Sequence, residues 1–276
     1  MGLSKEQVAR YSRQLILPEI GVQGQQQLLA SSALVIGAGG LGSPVALYLA
    51  AAGVGTIGII DADAVSLSNL HRQVLHTTGA VGEPKSRSAK ARLEALNPEI
   101  IVTPLQERVT AANALALFSN YDVIVDGSDN FPTRYLANDA CVLSGKPLIH
   151  GGVVHFGGQV LTVVPREGAC YRCVFPEPPE AGAVPNCQEA GVFGAAAGVI
   201  GTLMANEVIK VLLALGRPLV NRLLVFEGLA GHFREVSVRR NPECAVCGDN
   251  PTIREVVSLE SIVCTTGQEA PWPGNK

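Results

Sequence analysis

The residues of this chain best suited to chemistry are two cysteine pairs, a glycine-rich turn and a scatter of acids and cations near that turn. Cys170-Tyr-Arg-Cys173 and Cys244-Ala-Val-Cys247 each have C-x-x-C spacing, the ligand set of a tetrahedral Zn²⁺ site whose halves are joined by folding. Four thiolates leave no coordination position for water, so such a metal would be structural, fastening the C-terminal segment to the rest. Gly248 after the second pair favours metal over the alternatives, a redox pair or two unrelated thiol pairs. The glycine turn is Gly37-Ala-Gly-Gly-Leu-Gly-Ser43. Gly37, Gly39 and Gly42 fit G-x-G-x-x-G: the first for a tight turn, the second for backbone approach to a phosphate, the third for close helix packing. Asp61, at the end of the next apolar run, is placed to accept hydrogen bonds from ribose hydroxyls.

The segment from Asp61 through Asp63, Ser68, Asn69 and Arg72 to Gln73 then follows the strand edge where open α/β sheets bind ligands, which puts Asn69, Arg72 and Gln73 near phosphates. In Gly82-Glu-Pro-Lys85, Pro84 suits the first helical position, so Lys85 falls in a first turn. There the helix dipole disfavours a cation by about 0.3–1 kcal/mol unless an anion sits nearby. Val123-Ile-Val-Asp-Gly-Ser-Asp-Asn130 ends a strand with two acids and an amide. Asp129 is the expected partner of a nucleotide-bound Mg²⁺, while Asp126 either shares that task or merely caps the turn. Two cations and a magnesium acid suit a triphosphate being split, so the site reads as ATP; a nicotinamide oxidoreductase would leave them unexplained. Cys187 stands alone after a proline-rich stretch and before a helix, where a thiol of lowered pKa could act as a nucleophile or simply pack. Cys141 and Cys264 lack a companion motif and read as packing residues, and His71 and His76 as hydrogen-bonding fillers.

The elements that must position these residues follow from periodicity. Amphipathic helices over 4–17 and 23–30, with Ser4 as N-cap, precede the first strand. Strands at 33–37, 56–61, 100–104, 122–126 and 147–150 alternate with helices at 41–52, 84–96, 111–119 and 132–144, which predicts an α/β fold: a Rossmann-like, mostly parallel sheet with helices on both faces. Residues 1–150 form the helices and nucleotide-binding half. Residues 151–250 add antiparallel strands, a proline-rich crossover loop over 176–185, a buried helix from 190 to 215 and the zinc knuckles, completing the same domain; 251–276 is a tail. The 276 residues are 47% hydrophobic and 16% charged with a net charge of −3, enough to bury a large core and not a composition that attracts nucleic acid or a membrane. Without a secretory leader the expected compartment is the cytoplasm.

Taken together, Arg10-Tyr-Ser-Arg-Gln14, the glycine turn, Ser68-Asn-Leu-His-Arg-Gln73, Asp129-Asn130, Cys187-Gln-Glu-Ala-Gly191 and the paired knuckles resemble the MoeB/ThiF family, relatives of ubiquitin-activating enzymes, over about residues 5 to 250. The resemblance implies an adenylyltransferase: ATP adenylates the C-terminal glycine of a small ubiquitin-like sulfur-carrier protein ending in Gly-Gly, of the MoaD or ThiS type, releasing pyrophosphate. It implies that Gly40, Asp61, Asn69, Arg72, Lys85, Asp129 and Asn130 bind ATP and Mg²⁺, that Arg13 reaches across a homodimer to the partner's triphosphate, and that Cys187 forms a thioester or persulfide in some relatives only. Relatives that donate sulfur carry a further C-terminal domain, which a chain of this length is not expected to hold. The pathway served, molybdopterin, thiamin or tRNA thiolation, is not written in these residues. Adenylation of a tRNA base or a peptide, or a non-catalytic scaffold, are the other readings.

Overall fold

A computed structural model of the chain describes residues 2–179 and 191–258. Eight strands form one sheet in the order β3-β2-β1-β4-β5-β6-β7-β8. The parallel part comprises β1 (Ser32–Ile36), β2 (Thr56–Ile60), β3 (Ile101–Leu105), β4 (Val123–Asp126) and β5 (Leu148–Val154). β6 (Gly157–Val163), β7 (Arg222–Glu227) and β8 (His232–Ser237) extend the same sheet antiparallel. β1 pairs with β2 on one side and β4 on the other, with Ile36 opposite both Ile60 and Asp126. The chain thus winds outward in one direction through β3 and then in the other through β4, and the crevice beyond the ends of β1 and β4 is where open sheets bind ligands.

β5 runs through Gly151 and Gly152 rather than stopping at His150 as expected. The glycines permit helix packing against the strand: a Cβ on Gly151 would lie 2.2 Å from the Met204 sulfur. The N-terminal helices are α1 (Lys5–Arg10), α2 (Ser12–Leu15) and α3 (Gly21–Ala30). Ser4 caps α1 in a reciprocal pair with Gln7, but the expected continuous helix breaks at Tyr11. That ring is 1% exposed, packs against Gly53, and its hydroxyl accepts a hydrogen bond of 2.9 Å from Asn97.

Helices α4 (Gly42–Ala52), α5 (Lys85–Leu96), α6 (Ala114–Ser119), α7 (Phe131–Ser144), α8 (Tyr171–Val174) and α9 (Gly194–Leu213) complete the element order among the described residues. They bury the sheet from two sides, one cluster built on Val35, Ile59, Leu49 and Met204 and the other on Ile36, Ile124, Tyr135 and Tyr171. α9 is long and apolar enough to cross a membrane by length and composition alone, yet more than half of it is buried inside the protein. It packs on α4, β5 and β6. Its acid Glu207, 3% exposed, accepts from Thr162 Oγ1 at 2.8 Å and Leu219 N at 2.7 Å.

Candidate functional site

The end of β1 opens into the glycine turn. Gly37 has φ +86°, a left-handed conformation that a side chain would strain. A Cβ on Gly42 would lie 1.8 Å from the Gly37 carbonyl oxygen, so only glycine lets α4 begin so close to the turn. Behind the turn, Asp61 Oδ2 accepts from Ala38 N and Oδ1 from Asp63 N, both at 2.8 Å. His76, buried, lies 2.9 Å from both the Ala38 oxygen and Ser88 Oγ. Burial lowers its pKa, the Ala38 carbonyl and the Asp61 charge opposing that shift. It is the filler expected, and it braces the turn.

In front of the turn lies a cavity of about 340 Å³ lined by Gly37, Gly39, Gly40, Asp61, Asp63, Arg72, Gln73, Lys85, Asp129 and Asn130. Gly42, Ser68, Asn69 and Arg13 do not line it. Gly42 is spent on packing. Asn69 sits behind Arg72, its Oδ1 accepting from Arg72 Nη2 at 2.8 Å, so it aims the guanidinium. Ser68 faces Ser66, oxygen to oxygen at 3.0 Å. Arg13 is exposed on α2, away from the cavity.

Lys85 is 5% exposed, with Nζ 3.1 Å from Asp63 Oδ2 and 3.9 Å from Asp61 Oδ2. Those carboxylates offset both its burial and its dipole penalty. Pro84, expected as the first helical residue, is the N-cap: its ψ of 130° is extended, and the helix begins at Lys85. Two arginines that the sequence reasoning passed over also line the cavity, Arg108 and Arg134. Arg108 Nη2 lies 3.5 Å from Asp63 Oδ1. Arg108 follows the carboxyl end of β3 directly, and Arg134 lies in α7, the helix that follows β4; both thus fall on the strand edge already used for Arg72 and Lys85.

At the end of β4, Asp126 is fully buried. Its Oδ1 accepts from Ser128 N at 3.0 Å and Ser128 Oγ at 2.6 Å, and its Oδ2 lies 2.8 Å from His150 Nδ1. Burial alone would raise the Asp126 pKa, but the His150 hydrogen bond and charge outweigh it and hold the carboxyl below its ordinary value. Burial holds His150 below its own ordinary value, despite the carboxylate. The two side chains thus form a buried hydrogen-bonded pair. Asp126 caps the turn, which frees Asp129 to stand exposed at the cavity, while Asn130 Oδ1 accepts from Thr133 N at 3.0 Å and starts α7.

The four cysteines 170, 173, 244 and 247 come together with all Sγ atoms within 4.8 Å of one another. The Cys170–Cys173, Cys170–Cys244 and Cys173–Cys247 separations are 3.9, 3.6 and 3.3 Å. A tetrahedron with arms of ~2.3 Å has edges of ~3.8 Å, so this donor set could hold a metal ion. Donating to its sulfur neighbours, Cys173 first, pushes the Cys170 thiol up, while accepting from Cys170 pulls Cys244 down. Asn241 N donates to Cys173 Sγ at 3.3 Å, and a Cβ on Gly248 would lie 2.4 Å from the Cys244 carbonyl oxygen. α7 grips the first knuckle through the buried bidentate pair Arg172–Asp139, both bonds 2.8 Å, and through Asn138 Oδ1, which accepts from Tyr171 N at 2.8 Å. Cys141 is buried, as a packing residue should be. Cys187 and Cys264 lie outside the described residues.

Compared with known proteins, residues 11–246 match the ThiF family. A sulfur carrier protein adenylyltransferase of Thermus thermophilus is 54% identical over 266 residues, covering 95% of this chain and 98% of that one. The adenylyltransferase and sulfurtransferase MOCS3 of Sus scrofa is 50% identical and covers 94% of this chain; the chain spans 57% of that longer protein. Among solved structures, E. coli MccB with ATP superposes with a TM-score of 0.75 at 26% identity, covering 86% of this chain and 74% of that one. MccB with MccA-N7isoASN gives 0.76 at 27%, covering 87% and 74%.

Proposed function

The chain belongs to the ThiF family, and on that premise we propose that its cavity binds ATP and transfers AMP to the C-terminal glycine of a ubiquitin-like sulfur-carrier protein, releasing pyrophosphate. Membership of that family removes the oxidoreductase reading. The observation that carries the proposal is the convergence on one rim of Arg72, Lys85 and Asp129 around a glycine turn. The carrier's carboxylate must approach the α-phosphorus of a polyanion. Cations on the outer phosphates lower that repulsion and stabilise pyrophosphate as it leaves. The carboxylate oxygen forms the new bond to phosphorus as the bond to pyrophosphate breaks, so this step needs no protein nucleophile.

In this reading Lys85 and Arg72 hold the triphosphate and Asp61 the ribose, with Asn69 supporting Arg72. Asp129 would hold a nucleotide-bound Mg²⁺, which supplies further charge neutralisation when present. Arg13, far from its own cavity, serves the partner's triphosphate in a homodimer. The four-thiol cluster holds Zn²⁺, whose bond lengths its sulfur spacing fits, and Cys187 is dispensable for the adenylation step. Carrier-dependent exchange of labelled pyrophosphate into ATP tests the reaction: wild-type protein should support exchange only with a carrier ending in Gly-Gly. Exchange driven equally well by a peptide unrelated to such a carrier would favour the second reading, a peptide-adenylating enzyme, which the MccB likeness at 27% identity supports less than the 54% relative supports the first.

A further inference from the structure

Arg134 occupies the first turn of α7 and lines the nucleotide cavity, yet the triphosphate reading gives it no task. Its Nε is buried without a hydrogen-bond partner. Among the described residues no carboxylate lies within ion-pair distance of it, whereas Lys85 and Arg108 both have one. Its guanidinium carbon sits 5.0 Å from the centroid of the Phe131 ring, and the group lies within electrostatic reach of Asp126 and beside the Tyr171 hydroxyl. Packing against an aromatic face fixes such a group's plane. Burying an N–H unpaired leaves its desolvation uncompensated, and a cation in a helix's first turn is disfavoured as well. An anion delivered by a ligand would relieve both.

Which anion follows from the topology. Arg72 and Lys85 come after β2, on one side of the point where the strand order reverses, while Arg134 comes after β4, on the other. The cavity lining also includes Val153 from β5 and Val192 just before α9, apolar side chains that suit a glycine-terminated peptide better than a second phosphate. Resting on the adenylation reading, we infer that Arg134 binds the terminal carboxylate of the incoming carrier, offering Nε and one terminal nitrogen as a fork. The fork aims one carboxylate oxygen at the α-phosphorus and offsets its repulsion from the triphosphate. That oxygen bonds to phosphorus, the bond to the pyrophosphate oxygen breaks with its electron pair, and no proton moves.

The test uses a synthetic hexapeptide ending in Gly-Gly, as free acid and as C-terminal amide, binding to protein loaded with α,β-methylene ATP. Wild-type protein should prefer the acid by about tenfold or more, the range of a charge-assisted pair. Arg134→Gln should bring that preference close to unity while the affinity for the nucleotide analogue stays within about twofold. Arg134→Lys, which keeps the charge but loses the fork, should fall between, and methylguanidinium should partly restore the preference in Arg134→Ala. The inference is overturned if the wild type does not distinguish acid from amide, if Arg134→Gln still does, or if nucleotide affinity falls in proportion, which would make Arg134 a phosphate ligand. Pyrophosphate exchange by the wild type reads the adenylation itself, so failure of that reading and failure of this one are separate results.

Discussion

Asp126 and Asp129 are three residues apart and end up in opposite environments, which divides their work. Asp126 is fully buried and spends its oxygens on Ser128 and His150; Asp129 stands at the open cavity. Asp129→Ala should therefore lower carrier-dependent pyrophosphate exchange by about a hundredfold or more, the range seen when one group stabilising transition-state charge is removed. The thermal midpoint should stay near that of the wild type, because no folded-state contact is lost; undiminished exchange would remove Asp129 from the metal's coordination. His150 and His76 are both held neutral by burial below the ordinary histidine value of 6.5. As pH falls below that value the unfolded chain takes up protons that the folded one refuses, so stability present at neutral pH should drain away on acidification. A series of thermal melts between pH 7.5 and 5 should show the midpoint falling, and His150→Gln, whose amide can still donate to Asp126, should flatten the slope. An unchanged slope in that variant would place the acid sensitivity elsewhere.

α7 carries more of the site than any other helix. Its N-cap Asn130 and first-turn Arg134 line the cavity, its middle holds Asn138 and Asp139 against the first cysteine knuckle, and Tyr135 donates from its hydroxyl to the carbonyls of Phe175 and Glu177 at 3.1 and 2.6 Å. α7 therefore links the cavity rim at its start to the first cysteine knuckle at its middle. Asp139→Asn should leave the buried Arg172 guanidinium without its countercharge and cost about 3–5 kcal/mol of stability, measured by urea unfolding. A loss under 1 kcal/mol would mean that water reaches Arg172 freely. The helix itself was legible in the sequence at 132–144, one residue short of its observed start at Phe131. Its double attachment was not, because Asp139 and Arg172 meet only after the chain has passed through two more strands.

At the scale of the whole molecule, the cysteine cluster closes a long loop of chain, since Cys170 and Cys173 lie after β6 while Cys244 and Cys247 follow β8. Removing a metal from four crowded thiolates leaves charges that repel and thiols that reprotonate. Chelator treatment should release about one zinc per chain and lower the thermal midpoint, and Cys244→Ser should do the same. Protein purified without chelators and found free of zinc would refute the site. Asn69 and Ser68 do not line the cavity: in the short turn at Leu67–Asn69, Asn69 accepts from Arg72 and Ser68 faces Ser66.

By itself the sequence determined the parts whose causes are local. The glycines of the turn, the strand and helix periods, the acid after β2 and the cysteine spacing each report a backbone need or a ligand geometry within a few residues. The tertiary structure alone decided which charges face one another. Lys85 draws its countercharge from Asp61 and Asp63, Asp126 shares a buried hydrogen bond with His150, and Arg134, which lines the cavity, is left with a buried Nε that has no hydrogen-bond partner. Those outcomes depend on which strand ends lie side by side in the folded sheet. Electrostatic interactions in a buried site depend on distances across the fold, and separation along the chain says nothing about them.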